Sequence, residues 1–241
     1  MTTMPVNIPK IWSKLNETNQ EHALSYMEFL YHQQQESEAR RRNGTMELMD
    51  IIRNRRSIRK YLDKPVEREK LEKIVEAGLF APNPGGRQGT KILLLDDAEM
   101  IEKIGIVNAN CENRNWDVGV SKDQPSIIDD KTIKSGFYGC RTLAMICIQR
   151  ARKDQVNQIG AAFVCAQNMT LEAYDLGVSS VIVGRAEATF SQPGMQELLD
   201  QWGLDTAYMP IVFVCLGYIN GDYPKIKARN EGRYLYIGKE E

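Results

Sequence analysis

Histidine is almost missing from this chain. The two present, His22 and His32, both lie near the N-terminus in a stretch with helical spacing, where they read as solvated side chains. No catalytic triad can be assembled from what remains. Cysteine is equally uninformative for metal binding: Cys111, Cys140, Cys147, Cys165 and Cys215 are odd in number, and no two are two or three residues apart. That spacing excludes an iron–sulfur cluster or a zinc site. Four of the five sit in apolar runs such as "LAMICI" and "IVFVCLG", as reduced, buried thiols do. Net charge is missing too, since 31 Lys plus Arg against 32 Asp plus Glu leave −1 at pH 7. Bulk attraction to nucleic acid or to a membrane surface is therefore excluded. No apolar run approaches the roughly 20 residues of a membrane span, and "MTTMPVNIPK" has no apolar stretch flanked by basic residues. A cytoplasmic protein without a signal peptide is expected. No "GxGxxG" follows a strand, so a dinucleotide-binding doubly wound fold is not indicated.

What is present begins with a separable segment. In residues 1–44 the side chains Ala23, Leu24, Met27, Leu30 and Tyr31 form one apolar stripe at helical spacing, before the polar "HQQQESEARRRNG" ends the pattern. A stripe of that kind needs a partner surface. From Thr45 onward, helices alternate irregularly with short apolar strands. "MELMDIIRNR" and "VEREKLEKIVEAGLF" read as helices, the second turning Leu71, Ile74, Val75 and Leu79 to the core. "KILLL", "TLAMICI", "SSVIVG" and "PIVFVCLGY" read as strands. "EMIEKIG" is a short helix, and "NQIGAAFVCAQNMTLEAYDLG" is a helix apolar almost all round, hence central. Residues 107–136 lose periodicity and form a loop long enough to suggest a lid. The end of the chain, "YPKIKARNEGRYLYIG", reads as an extended tail.

Three segments carry candidate chemistry. "IRNRRSIRKY" packs Arg53, Arg55, Arg56, Arg59 and Lys60 around Ser57 where a helix ends. Planar guanidinium forks and a hydroxyl suit a phosphate monoester, although surface pairing with Glu67 and Glu69 would account for the same residues. "APNPGGRQGTK" follows Ala81-Pro82 with Asn83, Pro84, Gly85, Gly86, Arg87 and Gln88, directly before a strand. Its glycines let backbone approach a flat ligand, or serve only a helix-to-strand loop. "KIKAR" adds Lys225, Lys227 and Arg229 near the other end.

In this order the three segments resemble the nitroreductase family over roughly residues 46–238. Arg55, Arg56, Ser57, Arg59 and Tyr61 match its Arg-Arg-Ser-x-Arg-x-aromatic opening. "VEREKLEKIVEAG" matches its "VxxExLxxILEAA" helix, and "GVSSVIVG" resembles its "GLGSxWIG" strand. "MPIVFVCLGYINGDYPKIKAR" fits its closing pattern. The resemblance implies an α+β fold, a central, mostly antiparallel sheet flanked by helices, and a homodimer with FMN at the subunit interface. Arg55, Arg56, Ser57 and Arg59, with Lys227 and Arg229, would hold the phosphate. Pro82, Asn83, Pro84, Gly85, Gly86 and Gln88 would border the ribityl chain and ring, and Val183, Gly184 and Arg185 would face the ring. The family's loop asparagine falls on Gly86, so the flavin edge would need Asn83 or Arg87 instead. The implied activity is hydride transfer from NADH or NADPH, through flavin N5, to a nitroaromatic, quinone or similar acceptor, with no side-chain catalyst required. Two alternatives stay open. One is a specialised flavin enzyme that dehalogenates a substrate or fragments the flavin; the other is a flavin-binding protein that recruits a partner through residues 1–44.

Overall fold

The structure, a computed structural model, describes residues 12, 13, 15–17, 19, 20, 23, 24, 27, 46–111, 135–150 and 154–238. The chain divides into two compact units, Met1–Asp50 and Ile51–Glu241. In the first unit Trp12, Glu17, Asn19, Gln20, Ala23, Leu24 and Met27 are helical. The Gln20 amide donates to the carbonyls of Trp12 and Leu15 at 3.1 and 3.2 Å. Leu24 and Met27 are each nearly half exposed. The rest of the predicted stripe, Leu30 and Tyr31, lies outside the described residues, as do both histidines.

Helix α1 (Leu48–Asn54) spans the division and leads into the Arg55–Tyr61 segment. After it come α2 (Arg68–Leu79), a 3₁₀ turn (Pro84–Gly86), β1 (Thr90–Leu95), α3 (Ala98–Asn110), β2 (Thr142–Gln149), α4 (Gln155–Asp175), β3 (Ser179–Val183), α5 (Ala186–Phe190), α6 (Gln196–Gln201) and β4 (Tyr208–Gly217). The strands pair antiparallel in the order β1-β2-β4-β3, as the α+β expectation requires. The register aligns Leu93, Met145, Phe213 and Val183 in one row across all four strands.

Because side chains alternate along a strand, that row and its neighbours two residues away share one face. On this face Leu143, Met145, Cys147, Phe213 and Cys215 pack against α3, α5 and α6. On the other, Ala144, Ile146, Ile148, Val212 and Val214 pack against α2 and α4. A sheet covered on both sides needs apolar residues at consecutive positions, which is why "TLAMICI" runs apolar without alternation. Cys140, Cys147, Cys165 and Cys215 are free and buried, and burial pushes the Cys147 and Cys165 thiols up to about 12.

Three sequence expectations need correction. Leu79 is 56% exposed, because Gly78 takes the buried position on that turn of α2, where a Cβ would lie 2.7 Å from Met169. Helix α3 runs to Asn110 rather than stopping at Gly105, so residues 107–110 are helical. The glycine and asparagines of "GIVNAN" disfavour a helix locally, and Asp97 capping at one end with buried Asn108 near the other overrides that preference. Of the predicted lid, residues 112–134 lie outside the described residues. Finally, α4 is not enclosed: one face packs through Ala162, Cys165, Ala166 and Met169, while Val156, Phe163 and Val164 are exposed, Val156 to 81%.

Candidate functional site

Leaving α1, the chain crosses to the free side of β3. Ser57 bridges Ser180, the Ile58 N–H donates to the Ser180 carbonyl at 3.0 Å, and Tyr61 bridges Ile219 just past β4. These two bridges hold the segment with Ile58 and Tyr61 buried in the core. Ser57 and Arg59 are left half-buried at the rim. They line a cavity of about 380 Å³ together with Lys60, Asn220, Gly221 and Asp222.

Among the described residues, the Arg56 and Arg59 side chains bond to backbone carbonyls rather than to carboxylates. The Arg56 N–H donates to the Tyr223 hydroxyl at 3.0 Å, and its Nη1 donates to the carbonyls of Arg53 and Arg55 at 2.8 and 2.7 Å. Arg59 Nη1 reaches the Ser57 carbonyl at 3.5 Å, and its guanidinium carbon lies 5.9 Å from the Tyr138 ring centroid. Burial lowers the Arg55 pKa from its ordinary value, Arg56 adding to the effect and Tyr223 opposing it. Among the described side chains, two buried nitrogens have no hydrogen-bond partner: Arg56 Nη2 and Arg59 Nε. An unmet buried donor costs about 1–3 kcal/mol, more on a charged group. Both belong to guanidinium groups of the Arg55–Tyr61 segment, and each leaves a charged donor for a further acceptor. Tyr223, which sequence reading did not single out, joins this cradle. Lys227 and Arg229 lie farther along an exposed tail, with no described hydrogen bond or ion pair to it.

The glycine loop is organised by its own residues. Asn83 Oδ1 accepts from the Gln88 N–H at 2.7 Å, and its amide nitrogen reaches the Ala81 carbonyl at 3.5 Å. The Asn83 carboxamide oxygen therefore holds the loop. Gly85 and Gly86 take φ of 61° and 63°, values other residues adopt at a cost, so the two glycines allow the turn. Pro82, Asn83, Pro84, Gly85 and Arg87 form one wall of an open groove of about 610 Å³. Val156, Gly160 and Val164 of α4 form the other. The loop leads into β1, whereas the Ser57 segment lies beyond β3, at the opposite edge of the sheet.

Between β3 and α5 the chain turns at Val183, Gly184 and Arg185, with Arg185 at φ 67°, in the left-handed region. Asn108, fully buried on α3, donates from Nδ2 to the Gly184 carbonyl and to Thr189 Oγ1, each at 3.0 Å. Its Oδ1 accepts from Arg185 Nη2 at 3.3 Å. Thr189 Oγ1 in turn donates to the Arg185 carbonyl at 2.7 Å. Sequence reading missed Asn108 because it lies in the stretch read as aperiodic, where nothing marks one asparagine over another. Among the described residues no group of His, Cys, Asp and Glu could hold a metal ion, and no helix is long and apolar enough to cross a membrane.

Comparison with known proteins agrees with this architecture. Residues 52–218 match the nitroreductase family, and the chain belongs to it. A Methanothermobacter thermautotrophicus protein provisionally named NADH dehydrogenase/NAD(P)H nitroreductase is 24% identical over 173 residues, 72% of this chain and 78% of its own. The solved structure of a Bacteroides fragilis nitroreductase with bound FMN is similar at a TM-score of 0.66 and 21% identity, over 80% of this chain and 100% of its own. A Desulfitobacterium hafniense nitroreductase with bound FMN gives a TM-score of 0.66 at 19% identity, with the same coverage.

Proposed function

We propose that this chain is an FMN-dependent oxidoreductase that uses NADH or NADPH to reduce a nitroaromatic, quinone or similar oxidised acceptor. The observation that carries the reading is the pair of unpartnered donors, Arg56 Nη2 and Arg59 Nε, within the cationic segment that the family resemblance assigns to phosphate. Bound FMN supplies the hydride chemistry. The chain's own residues bind and orient it. Arg55, Arg56, Ser57 and Arg59 offer a fork-shaped set of donors to phosphate oxygens, and Lys227 and Arg229 add charge from the tail. The loop from Pro82 to Gln88 and the turn from Val183 to Arg185 flank the ring, and the buried thiols take no part.

A homodimer with FMN between subunits belongs to the same proposal. The cationic segment and the glycine loop are separated by four inter-strand steps of about 4.8 Å, roughly 19 Å across one sheet. One chain therefore presents them at different edges, and a second copy can bring its loop to the first chain's cradle. Uncovered apolar surface points the same way: Tyr234, Leu235, Tyr236 and Ile237 are 80–88% exposed, and the α4 face is open beside the glycine loop. The free, buried thiols fit a reducing compartment, so we place the protein in the cytoplasm.

The test is direct. Purified protein is expected to be yellow, to release FMN on denaturation and to oxidise NADH or NADPH in the presence of a quinone or nitroaromatic. A protein that gains no flavin absorbance after incubation with FMN refutes the assignment. The same proposal treats residues 1–44 as an appendage and residues 45–241 as the flavin-binding domain. A chain beginning at Thr45 should keep its FMN affinity while melting at a lower temperature or shifting from dimer toward monomer. Loss of FMN binding in that truncated chain counts against the division.

A further inference from the structure

We propose that Asn108 is the positioning residue for the face of the site that lies against the flavin ring, an inference that rests on the FMN reading above. Its carboxamide is fully buried, and every polar atom of it is spent on one stretch: Gly184, Arg185 and Thr189. A buried side-chain amide is costly unless satisfied, and a residue of similar volume without polar atoms would pack there without that demand. Here satisfaction is complete only when the strand-to-helix corner stands as it does. Nδ2 fixes the Gly184 carbonyl, Oδ1 fixes the Arg185 guanidinium, and Thr189 links Asn108 back to the Arg185 carbonyl, closing a ring of bonds around the left-handed residue.

Asn108 is itself held from the other side. Gly136 lies so close that a Cβ there would come within 2.5 Å of Asn108 Oδ1, and the Gly136 N–H donates to the Gly105 carbonyl at 2.8 Å. Both glycines are required by proximity, since a Cβ on Gly105 would meet Ser135 Oγ at 2.1 Å. Two residues beyond Gly136, Tyr138 takes a left-handed φ of 57° and sets its ring against the Arg59 guanidinium. The 135–140 turn thus touches the cationic cradle through Tyr138 and the Asn108 amide through Gly136. Arg185, bonded to Asn108, serves to brace the corner, and the exposed backbone at Gly184 is what the corner presents.

Asn108→Leu and Thr189→Val test this, each compared with wild type for flavin spectrum, flavin midpoint potential, the split between kcat and KM, and amide hydrogen exchange of the FMN-free protein. Exchange at Gly184 to Thr189 is expected to speed up about tenfold or more in Asn108→Leu, the loss of one to two hydrogen bonds. In the FMN-loaded variant the absorbance bands and midpoint shift and kcat falls about tenfold, while FMN still binds through the arginine cradle. Asn108→Asp, which keeps the acceptor for Arg185 but loses the donor, falls between the two. If Asn108→Leu does not fold, Thr189→Val carries the same readouts with a smaller shift. A folded Asn108→Leu or Thr189→Val whose spectrum, midpoint, kcat and exchange match wild type overturns the proposal, whatever its melting temperature. Failure of the wild-type protein to bind FMN sinks the functional reading instead, and the exchange measurement on the FMN-free chain tells the two apart.

Discussion

Arg59→Ala is expected to weaken FMN binding by about ten- to a hundredfold without lowering the melting temperature of the FMN-free protein. The two halves of that result come from the same atom. Among the described residues, Arg59 Nε is buried with no partner, and the guanidinium makes one long hydrogen bond, to the Ser57 carbonyl. Removing it takes away an unmet donor along with the loose contact to Tyr138, so stability has little to lose. A phosphate would complete that donor set, and a charge-assisted hydrogen bond contributes about 1.5–3 kcal/mol, which gives the stated loss of affinity. Arg59→Lys should not restore binding, because an ammonium lacks the planar fork. Titration of FMN by fluorescence quenching and thermal melts of the FMN-free proteins measure both halves. Unchanged affinity in Arg59→Ala removes the cradle from the site; a large drop in melting temperature would instead make Arg59 a structural residue.

Phe213→Ala should destabilise the protein by about 3–5 kcal/mol, the range for deleting a fully buried aromatic from a packed core. Phe213 sits in the central strand β4, fully buried, directly opposite Met145 in register. Its ring meets Phe137 edge-on at 4.8 Å between centroids and lies 6.3 Å from Phe190. The three rings come from β4, the 135–140 turn and α5, so a cavity here loosens one layer at its centre. Against a typical total of about 5–15 kcal/mol, the loss is a large fraction. The midpoint of urea unfolding reads it out. A loss under about 1 kcal/mol would mean that neighbouring side chains collapse into the space, contrary to the close packing around this ring.

Much of the secondary structure was legible because its cause is local. The strand "KILLL" and the helix "VEREKLEKIVEAG" fall where the apolar pattern places them, as β1 and α2. Short α5 was missed, since five residues have no periodicity to show and their helix is set by Thr189 and Arg185 bonding at the β3 corner. The extension of α3 past Gly105 was hidden for a related reason: weak helix formers are held there by contacts with residues about 80 positions away, such as Asn108 with Thr189.

For the site, the sequence by itself determined which residues could bind a phosphate. Arginines beside a serine carry that chemistry in any fold, and their order along the chain was enough to resemble one family. Only the tertiary structure decided which of them are half-buried with unpartnered donors. Two separate bridges, Ser57 to Ser180 and Tyr61 to Ile219, bury Ile58 and Tyr61 and leave Ser57 and Arg59 half-buried, while Lys227 and Arg229 remain on the exposed tail. Strand order decided the rest. By placing β1 and β3 at opposite edges, it set the glycine loop apart from the cradle within one chain, a separation that depends on which strands pair across long stretches of sequence and so leaves no local pattern to read.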